Sequence, residues 1–387
     1  MQRFLVGGAV RDRLLGLPVQ DRDFVVVGAS PQEMVALGYT PVGKDFPVFL
    51  HPTTHEEHAL ARTERKTAPG YRGFTFHAAA DVTLEQDLAR RDLTINAMAQ
   101  AEDGTLVDPF DGQHDLQQGI LRHVSTAFLE DPVRILRLAR FAARFTRFTV
   151  APETAALMRT MVENGEVDAL VPERVWQEFS RGLMEAMPSR MLEVLHDCGA
   201  LARMLPMLEP VWTLTGGVRG HSVLAALDAS AGAGAALPVR LAILLQAAGT
   251  TPTDTAAIDA VCARLKVPGD CRDLAVMTGR EREALRTGPG LATGAVALLE
   301  RCDALRKPAR FHQMLEALAL ALAGQFSSAS PPIARWRAVL EAARSVDAGS
   351  VAKHVAQASP GQPQRINDAV RAARVAAVMP VCDQQAH

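Results

Sequence analysis

The stretch Phe4-Leu5-Val6-Gly7-Gly8-Ala9-Val10-Arg11-Asp12 decides the fold of the first part of the chain, because it reads as a strand, a glycine turn and the start of a helix. Glycines let a backbone approach a phosphate closely, and the first turn of a helix offers unpaired N–H groups. Arg11 adds a positive charge at the same end. A tight turn without a ligand is the simpler interpretation of an isolated Gly-Gly pair, so the motif needs support from its neighbours.

Two carboxylates follow the glycine turn. Asp21 and Asp23 lie two residues apart, just before the apolar run Phe24–Val27. Residues i and i+2 of a strand share a face, so these side chains are predicted to lie together, where a divalent cation relieves their repulsion. Mg²⁺ prefers a few carboxylates with phosphate oxygens, and two ions about 3.5–4 Å apart can activate a hydroxyl and stabilise a leaving pyrophosphate. A solvated turn with Arg22 is the alternative.

A pair of arginines precedes a second polar motif. Arg90-Arg91-Asp92 leads directly into the run Leu93–Met98, which reads as a short helix. Paired arginines suit phosphate recognition, so Arg91 is predicted to bind a triphosphate, with Asp92 or Asn96 near the ribose. The alternative for Asp92 is a helix cap.

The string Glu130-Asp131-Pro132-Val133-Arg134 opens the first long helix. Pro132 suits the first helical position, so Asp131 is its natural N-cap. Asp131 and Arg134 are also three residues apart on one helix face, where they can offer acceptors and donors to a base edge. Further arginines continue this side of the helix, namely Arg137, Arg140 and Arg144. A solvated basic face is the competing interpretation, and it is preferred for Arg144 and Arg147.

The overall composition excludes several classes of protein. Aromatic residues make up 5% of the 387 residues, too few for rows of stacked bases, and a net charge of −2 confines any nucleic-acid site to a local patch. The five cysteines are scattered without a Cys-x-x-Cys pair, as expected in a reducing cytoplasm. No membrane span is indicated. The first glycine motif begins at residue 7, which leaves no room for a leader peptide, so a cytoplasmic location is predicted.

The elements predicted along the chain change in type near residue 125. Short apolar runs between glycines and prolines predict strands at Phe4–Val6, Phe24–Val27 and Pro47–Leu50, with a short helix at Leu93–Ala99. From Thr126 onward the apolar spacing is helical almost everywhere. An α+β fold is therefore predicted, divided into a head (1–124), a helical neck (125–210), a helical body (211–326) and a helical tail (327–387).

With these motifs assembled, the chain resembles the class II tRNA nucleotidyltransferases, the bacterial CCA-adding enzymes. The resemblance covers most of the chain and is densest over residues 1–200. Besides the motifs above, it rests on Ala59–Lys66, Leu121–Val124 and Pro172–Trp176. It implies a polymerase-β-like palm followed by an all-α neck, body and tail. It also implies addition of C, C and A to tRNA 3′ ends from CTP and ATP, with Mg²⁺, without a nucleic-acid template and with no obligate protein partner.

The resemblance implies a role for each motif residue. Asp21 and Asp23 would be catalytic and hold Mg²⁺, while Asp131 and Arg134 would read the base. The remaining residues would bind the incoming nucleotide: Gly8, Arg11, Arg91, Asp92, Asn96, Arg137 and Arg140. The segment Arg62–Phe76 matches the mobile loop that full CCA enzymes keep and CC-adding relatives shorten, which favours addition of the final A.

One departure concerns the HD phosphohydrolase domain that many bacterial relatives carry. His221 could be its first metal ligand, but the expected His-Asp pair aligns with Gln246 and Ala247, within Gln246–Thr250. Neither glutamine nor alanine replaces these ligands. The motif is therefore predicted to be degenerate and phosphatase activity to be absent.

Three alternatives to a CCA-adding enzyme remain open. A poly(A) polymerase shares the head motifs, although such relatives usually have extra N-terminal sequence and a basic C-terminal extension. A catalytically dead RNA-binding relative is disfavoured by the intact Asp21 and Asp23. A metal-dependent hydrolase would rest on His221 alone.

Overall fold

The computed structural model describes residues 1–42, 48–66, 74–77, 80–209, 212, 218–248, 255–322, 331–358 and 362–383. The chain divides into two compact units, Met1–Met204 and Leu205–His387. The finer division into head, neck, body and tail stays a prediction, and most of residues 210–217, at the predicted boundary between neck and body, lie outside the described residues.

A mixed sheet organises the first unit. Its strands and those of two small ribbons are β1 (Gln2–Val6), β2 (Asp23–Val27), β3 (Thr40–Val42), β4 (Val48–Leu50), β5 (Glu57–Leu60), β6 (Thr63–Lys66), β7 (Phe74–His77), β8 (Ala99–Ala101), β9 (Leu106–Val107), β10 (Ile120–Leu121) and β11 (Thr149–Val150). The order in the main sheet is β3-β4-β5-β2-β1-β8-β9, and only β2 and β5 run parallel within it. The ribbons pair β6 with β7 and β10 with β11. The strands predicted from apolar runs are confirmed within β1, β2 and β4.

Both faces of this sheet are covered, because successive residues of a strand point to opposite sides. Val25 belongs to a buried cluster with Val6 and Leu88, while its neighbour Val26 belongs to a separate cluster with Met34. The alternation fixes the register of β2, and with it the position of Asp23 at the start of the strand.

Helices complete the first unit. They are α1 (Gly8–Leu14), α2 (Pro31–Ala36), α3 (Leu84–Ala89), α4 (Gly112–Gln118), α5 (Val133–Arg144), α6 (Pro152–Glu163), α7 (Pro172–Leu183), α8 (Pro188–Asp197) and α9 (Ala200–Met204). Helix α5 buries Ile135 and Leu138 completely, as its apolar spacing predicts, and packs against α7 and α8.

The predicted helix over Leu93–Ala99 is wrong. The segment forms a 3₁₀ turn at Thr94–Asn96 and then strand β8. The Thr94 N–H donates to the Arg122 carbonyl at 2.9 Å, and β8 pairs with the edge of β1. Tertiary pairing of the backbone therefore overrides the local helical pattern.

The second unit is built from helices. They are α10 (Val218–Gly232), α11 (Leu237–Leu245), α12 (Thr255–Leu265), α13 (Gly269–Thr287), α14 (Ala292–Arg301), α15 (Pro308–Leu322), α16 (Pro331–Arg344), α17 (Ala348–Ala358) and α18 (Pro363–Asp383). Helix α11 is buried along most of its length and packs on α13 and α15. Among the described residues of the chain, no helix is both long and apolar enough to cross a membrane.

Candidate nucleotide site

A cavity of about 1140 Å³ opens in the first unit where the β1–α1 turn, β2, β5, the segment after α3, α5 and α7 meet. Its lining holds ten arginines, seven carboxylates and no lysine. A wall so rich in guanidinium groups suits an anionic ligand with several phosphates. All of the residues predicted to bind the nucleotide or Mg²⁺ line this one cavity.

The glycine turn forms one wall. Gly7 has φ +67° and ψ −129°, a conformation that favours glycine, and α1 begins at Gly8. A Cβ at Gly7 would lie 3.0 Å from Nη1 of Arg91. The absence of a side chain thus allows the Arg91 guanidinium to lie against the turn.

Arg11 lies behind that turn and is buried, with 3% of its surface exposed. Its guanidinium donates to Asp12 at 2.8 Å and to the Asn96 side-chain oxygen at 2.5 Å. The rings of Phe141 and Phe145 each lie 5.1 Å from its central carbon. Burial lowers the pKa of Arg11, and the neighbouring Asp12 partly offsets this effect. Arg11 is therefore held in the cavity wall behind the glycine turn by Asp12 and Asn96.

Asp21 and Asp23 both face the cavity, Asp23 as the first residue of β2. Burial raises the pKa of Asp23, the charge of Arg91 opposes this, and the like charge of Asp21 adds to it. Glu57 pairs with Asp23 in the parallel register of β2 and β5 and also lines the cavity. Glu57 was not predicted from the sequence, because only strand pairing brings it beside the aspartates.

This donor set fits a divalent cation of the Mg²⁺ type. It offers carboxylate oxygens only, which are the ligands that hard cations prefer. Within the part of the chain that the structure describes, no group of three or more His, Cys, Asp or Glu side chains is arranged to hold an ion unaided. A cation here would complete its coordination with phosphate oxygens of a substrate, as Mg²⁺ sites in phosphoryl-transfer proteins commonly do.

The segment after α3 supplies the next wall. Arg91 donates through Nη2 to Asp87 at 3.2 Å. Asp92 is 7% exposed and accepts hydrogen bonds from the Asn96 amide at 3.0 Å and from Nε of Arg137 at 2.8 Å. Burial opposes ionisation of Asp92, yet Arg137 and Asn96 together hold its pKa well below the usual range. Asp92 is thus ionised and fixed at neutral pH.

Arginines from α5 pair with carboxylates from α7 and from the residues just after it. Nε of Arg140 donates to the buried Glu178 at 2.7 Å, and Arg137 lies 3.8 Å from the same carboxyl group. Glu185 lies 3.7 Å from Arg140. The signal for this set in the sequence is a helical spacing of four, three and four residues, shared by Arg174, Glu178, Arg181 and Glu185, although α7 ends before Glu185.

The preferred interpretation of Arg144 as part of a solvated face is wrong. Arg144 lines the cavity and donates to Asp12 at 2.9 Å, 132 residues away in the chain. Arg147, given the same interpretation, is indeed exposed.

Asp131 and Arg134 both reach the cavity, but each already has protein partners. Nη2 of Arg174 donates to Asp131 at 2.8 Å, and Nη1 does so at 3.2 Å. Asp131 also accepts from the Val133 N–H at 3.1 Å. The predicted N-cap is nevertheless wrong by one position, because α5 begins at Val133 and Pro132, not Asp131, is its N-cap. Arg134 donates to the carbonyls of Ala127 and Arg90 at 2.8 and 2.5 Å. Contact with a base would require these side chains to change partners.

Two family models match the chain. The poly A polymerase head domain matches residues 3–122, and the probable RNA and SrmB-binding site of polymerase A matches residues 147–211. The first match covers the sheet and its glycine turn. The second covers helices α6 to α9 and extends past Met204, where the first unit ends.

Relatives match along nearly the whole chain. The multifunctional CCA protein of Janthinobacterium sp. (strain Marseille) is 55% identical, covering 100% of this chain and 99% of its own length. That of Azoarcus sp. (strain BH72) is 57% identical, with 98% and 97% covered. Among solved structures, the Bacillus stearothermophilus CCA-adding enzyme in complex with CTP aligns with a TM-score of 0.69 at 24% identity, covering 97% of this chain and 88% of that one. This last likeness shows a shared fold.

Proposed function

The chain belongs to the family of multifunctional CCA proteins, and on that premise we propose that its charged cavity adds and repairs the 3′-terminal CCA of tRNA, using CTP and ATP and releasing pyrophosphate. It is a tRNA nucleotidyltransferase that needs no nucleic-acid template. The observation that carries this proposal is the meeting, in one cavity, of the glycine turn, the Asp21 and Asp23 carboxylates and a wall of arginines.

The cavity wall would position the triphosphate. The glycine turn leads into the start of α1, whose first N–H groups can bind an anion, and the guanidinium of Arg91 lies against Gly7 of this turn. Arg137 and Arg140, each held by a carboxylate on one side, keep further N–H donors for phosphate or ribose oxygens. Because these groups are fixed before the substrate arrives, little reorganisation is needed on binding.

Nucleotidyltransferases of this family use a divalent metal ion, and Mg²⁺ is the ion that we propose. Asp21 and Asp23 would hold it. When bound, such an ion makes the tRNA 3′-hydroxyl a better nucleophile and stabilises negative charge on the departing pyrophosphate. The protein itself supplies position and charge, and no residue forms a covalent intermediate.

Base selection would fall to Asp131 and Arg134. A carboxylate accepts from an exocyclic amino group, and a guanidinium donates to ring nitrogen or carbonyl oxygen, so together they can match the edge of cytosine or adenine. Their present partners, Arg174 and two main-chain carbonyls, hold them at the cavity until a base takes over these hydrogen bonds.

A cytoplasmic location is also part of the proposal. All five cysteines are free and buried, as expected in a reducing compartment. The macromolecular partner is tRNA, and the similar solved structures include the Thermotoga maritima CCA-adding enzyme complexed with tRNA.

Primer extension tests the function directly. Labelled tRNA lacking CCA is incubated with Mg²⁺ and with CTP, ATP or both. Extension by two nucleotides with CTP, and a stop at three with both, is expected. A long ladder with ATP alone would indicate a poly(A) polymerase instead, and no extension would indicate an RNA-binding relative without activity.

The aspartates are tested in the same assay. Asp21→Asn and Asp23→Asn keep the side-chain volume but remove the charge, and each should slow extension by about 100-fold or more. Asp103→Asn is the matched control, because Asp103 is exposed and lies outside the cavity lining. Full activity in either cavity variant would remove Asp21 or Asp23 from the proposed machinery.

A further inference from the structure

A fully buried carboxylate lies behind the arginine pair, outside the cavity lining. Asp87, in α3, has none of its surface exposed. Burying a charge is costly unless charged or polar partners surround it, so such a residue needs a structural reason. The capping box formed by Thr83 and Gln86 fixes the start of α3 and therefore the position of Asp87 one turn later.

The two oxygens of Asp87 have different partners. Oδ1 accepts from the main-chain N–H of Arg62 at 3.2 Å, and from Nη2 and Nε of Arg90 at 2.8 and 3.1 Å. Oδ2 accepts from Nη2 of Arg91 at 3.2 Å. The Arg90 guanidinium also donates to the Arg62 carbonyl at 3.1 Å. Arg62, Arg90 and Arg91 all line the cavity, so one hidden carboxylate joins three cavity residues.

Among these three arginines, Arg91 is the one whose guanidinium lies against the glycine turn, where the triphosphate is proposed to bind. Its Nη2 is held by Asp87, its Nη1 lies against the glycine turn, and its Nε is buried without a hydrogen-bond partner among the described residues. An arginine side chain has several rotatable bonds, and two adjacent guanidinium groups repel each other. The carboxylate between Arg90 and Arg91 removes that repulsion and selects one rotamer of Arg91.

We propose that Asp87 is a positioning residue that holds the Arg91 guanidinium at the glycine turn for the triphosphate of the incoming nucleotide. The inference rests on the proposed function. It adds the residue that would hold a triphosphate-binding side chain in place. Asp87 does not touch substrate and acts only through Arg91.

A double-mutant cycle tests this role. Asp87→Asn should raise KM for both CTP and ATP by about tenfold or more, as loss of a supporting partner commonly does, with kcat changed less. Because Asp87 acts through Arg91, the double variant Asp87→Asn/Arg91→Ala should bind nucleotide no more weakly than Arg91→Ala alone. Additive losses, or an unchanged KM in Asp87→Asn, would overturn the proposal.

Asp115→Asn is the matched control. Asp115 is 2% exposed and binds Thr94 and Arg122, but neither it nor these partners line the cavity. This variant should lose stability while its nucleotide KM stays within about twofold of wild type. An equal rise of KM in both variants would mean that Asp87 is merely structural.

A second variant and a binding measurement complete the test of Asp87. If Asp87→Asn does not fold, Asp87→Glu keeps the charge but moves it by one methylene, and an unchanged KM there would overturn the proposal. Calorimetric titration with CTP measures nucleotide affinity without turnover. If wild type bound CTP but did not extend tRNA, the proposed function would fail, while a normal CTP affinity in Asp87→Asn would still refute the role of Asp87.

Discussion

Nε of Arg137 donates to Oδ2 of Asp92 at 2.8 Å, which joins α5 to the segment that follows the arginine pair. Asp92 is buried, and Nη1 of Arg137 lies 3.8 Å from the Glu178 carboxylate on α7. The pair therefore fixes two walls of the cavity relative to each other. Because one partner is a buried carboxylate, the contribution of this pair to stability must depend on pH.

The first prediction concerns acid stability. Burial tends to raise the pKa of Asp92, but Arg137 and Asn96 outweigh this effect, so the pKa is depressed in the folded state. The contribution of ionised Asp92 to the free energy of unfolding is therefore complete above about pH 3.9, the pKa of an aspartate in the unfolded chain. It is lost as pH falls towards the lower pKa of Asp92 in the folded state. Asp92→Asn should be less stable than wild type at neutral pH, and the difference should shrink below about pH 4.

Urea unfolding measured between pH 7 and pH 3 checks this expectation. Asp81→Asn serves as the control, since Asp81 is exposed and lies outside the cavity lining. A stability difference for Asp92→Asn that stays constant down to pH 3 would contradict the assigned charge of Asp92.

The second prediction concerns the glycine turn. Gly7→Ala places a Cβ 3.0 Å from Nη1 of Arg91 and forces alanine into a conformation at φ +67° that costs about 1–3 kcal/mol. Displacement of Arg91 should raise KM for CTP and ATP by about tenfold, because a charge-assisted hydrogen bond contributes about 1.5–3 kcal/mol.

Gly16→Ala distinguishes the effect of backbone strain from the effect of displacing Arg91. Gly16 also has a positive φ, +68°, but a Cβ there would meet nothing within 4 Å. Thermal unfolding should show a loss of stability in both variants, and steady-state kinetics should show a raised KM in Gly7→Ala alone. A raised KM in both would assign the effect to the backbone of α1 rather than to Arg91.

Secondary structure that depends on residues close together in the chain could be predicted from the sequence. The strand, glycine turn and helix around Gly7 follow from local chemistry, and the apolar face of α5 follows from its spacing. The segment Leu93–Ala99 could not be predicted in the same way. Its 3₁₀ turn and β8 depend on pairing with β1 and with the backbone at Arg122, which lie far away in the chain.

The partners of the charged residues could not be predicted either. Glu57 reaches Asp23 only because β5 pairs in parallel with β2, and Arg144 reaches Asp12 only because the end of α5 lies beside α1. Residue type and spacing indicated which charged side chains line the cavity. They did not indicate the carboxylates Asp87 and Glu178, which orient those side chains from behind the cavity wall.

The third prediction concerns base selection. Arg134→Ala should reduce the preference for CTP and ATP over UTP and GTP by about tenfold, since a matched pair of hydrogen bonds to a base edge is worth about 1–3 kcal/mol. The rate of addition of the favoured nucleotide should fall less. Single-turnover extension with each nucleotide in turn measures both quantities.

Arg147→Ala is the control for this change, because Arg147 is exposed and lies outside the cavity lining. Loss of Arg134 also frees the carbonyls of Ala127 and Arg90, so the stability of the variant is measured alongside. Unchanged selectivity in a folded Arg134→Ala protein would refute the assignment of Arg134 to the base.

The last prediction is that the second unit has no metal-dependent phosphatase activity. Where a His-Asp pair would stand, Gln246 is buried with 1% of its surface exposed and Ala247 is buried beside it. The Gln246 side-chain oxygen accepts a hydrogen bond from the Arg282 guanidinium, whose positive charge disfavours a cation at this position. A neutral carboxamide and a methyl group supply no anionic ligand.

Hydrolysis of p-nitrophenyl phosphate and of 2′,3′-cyclic nucleotides, measured with Mg²⁺, Mn²⁺, Co²⁺ and Ni²⁺, checks this prediction. We expect no turnover above that of His221→Ala, in a preparation whose CCA addition shows that the protein is folded. Metal-dependent hydrolysis that disappears in His221→Ala would show that the helices around α10 and α11 still hold a working metal centre despite Gln246 and Ala247.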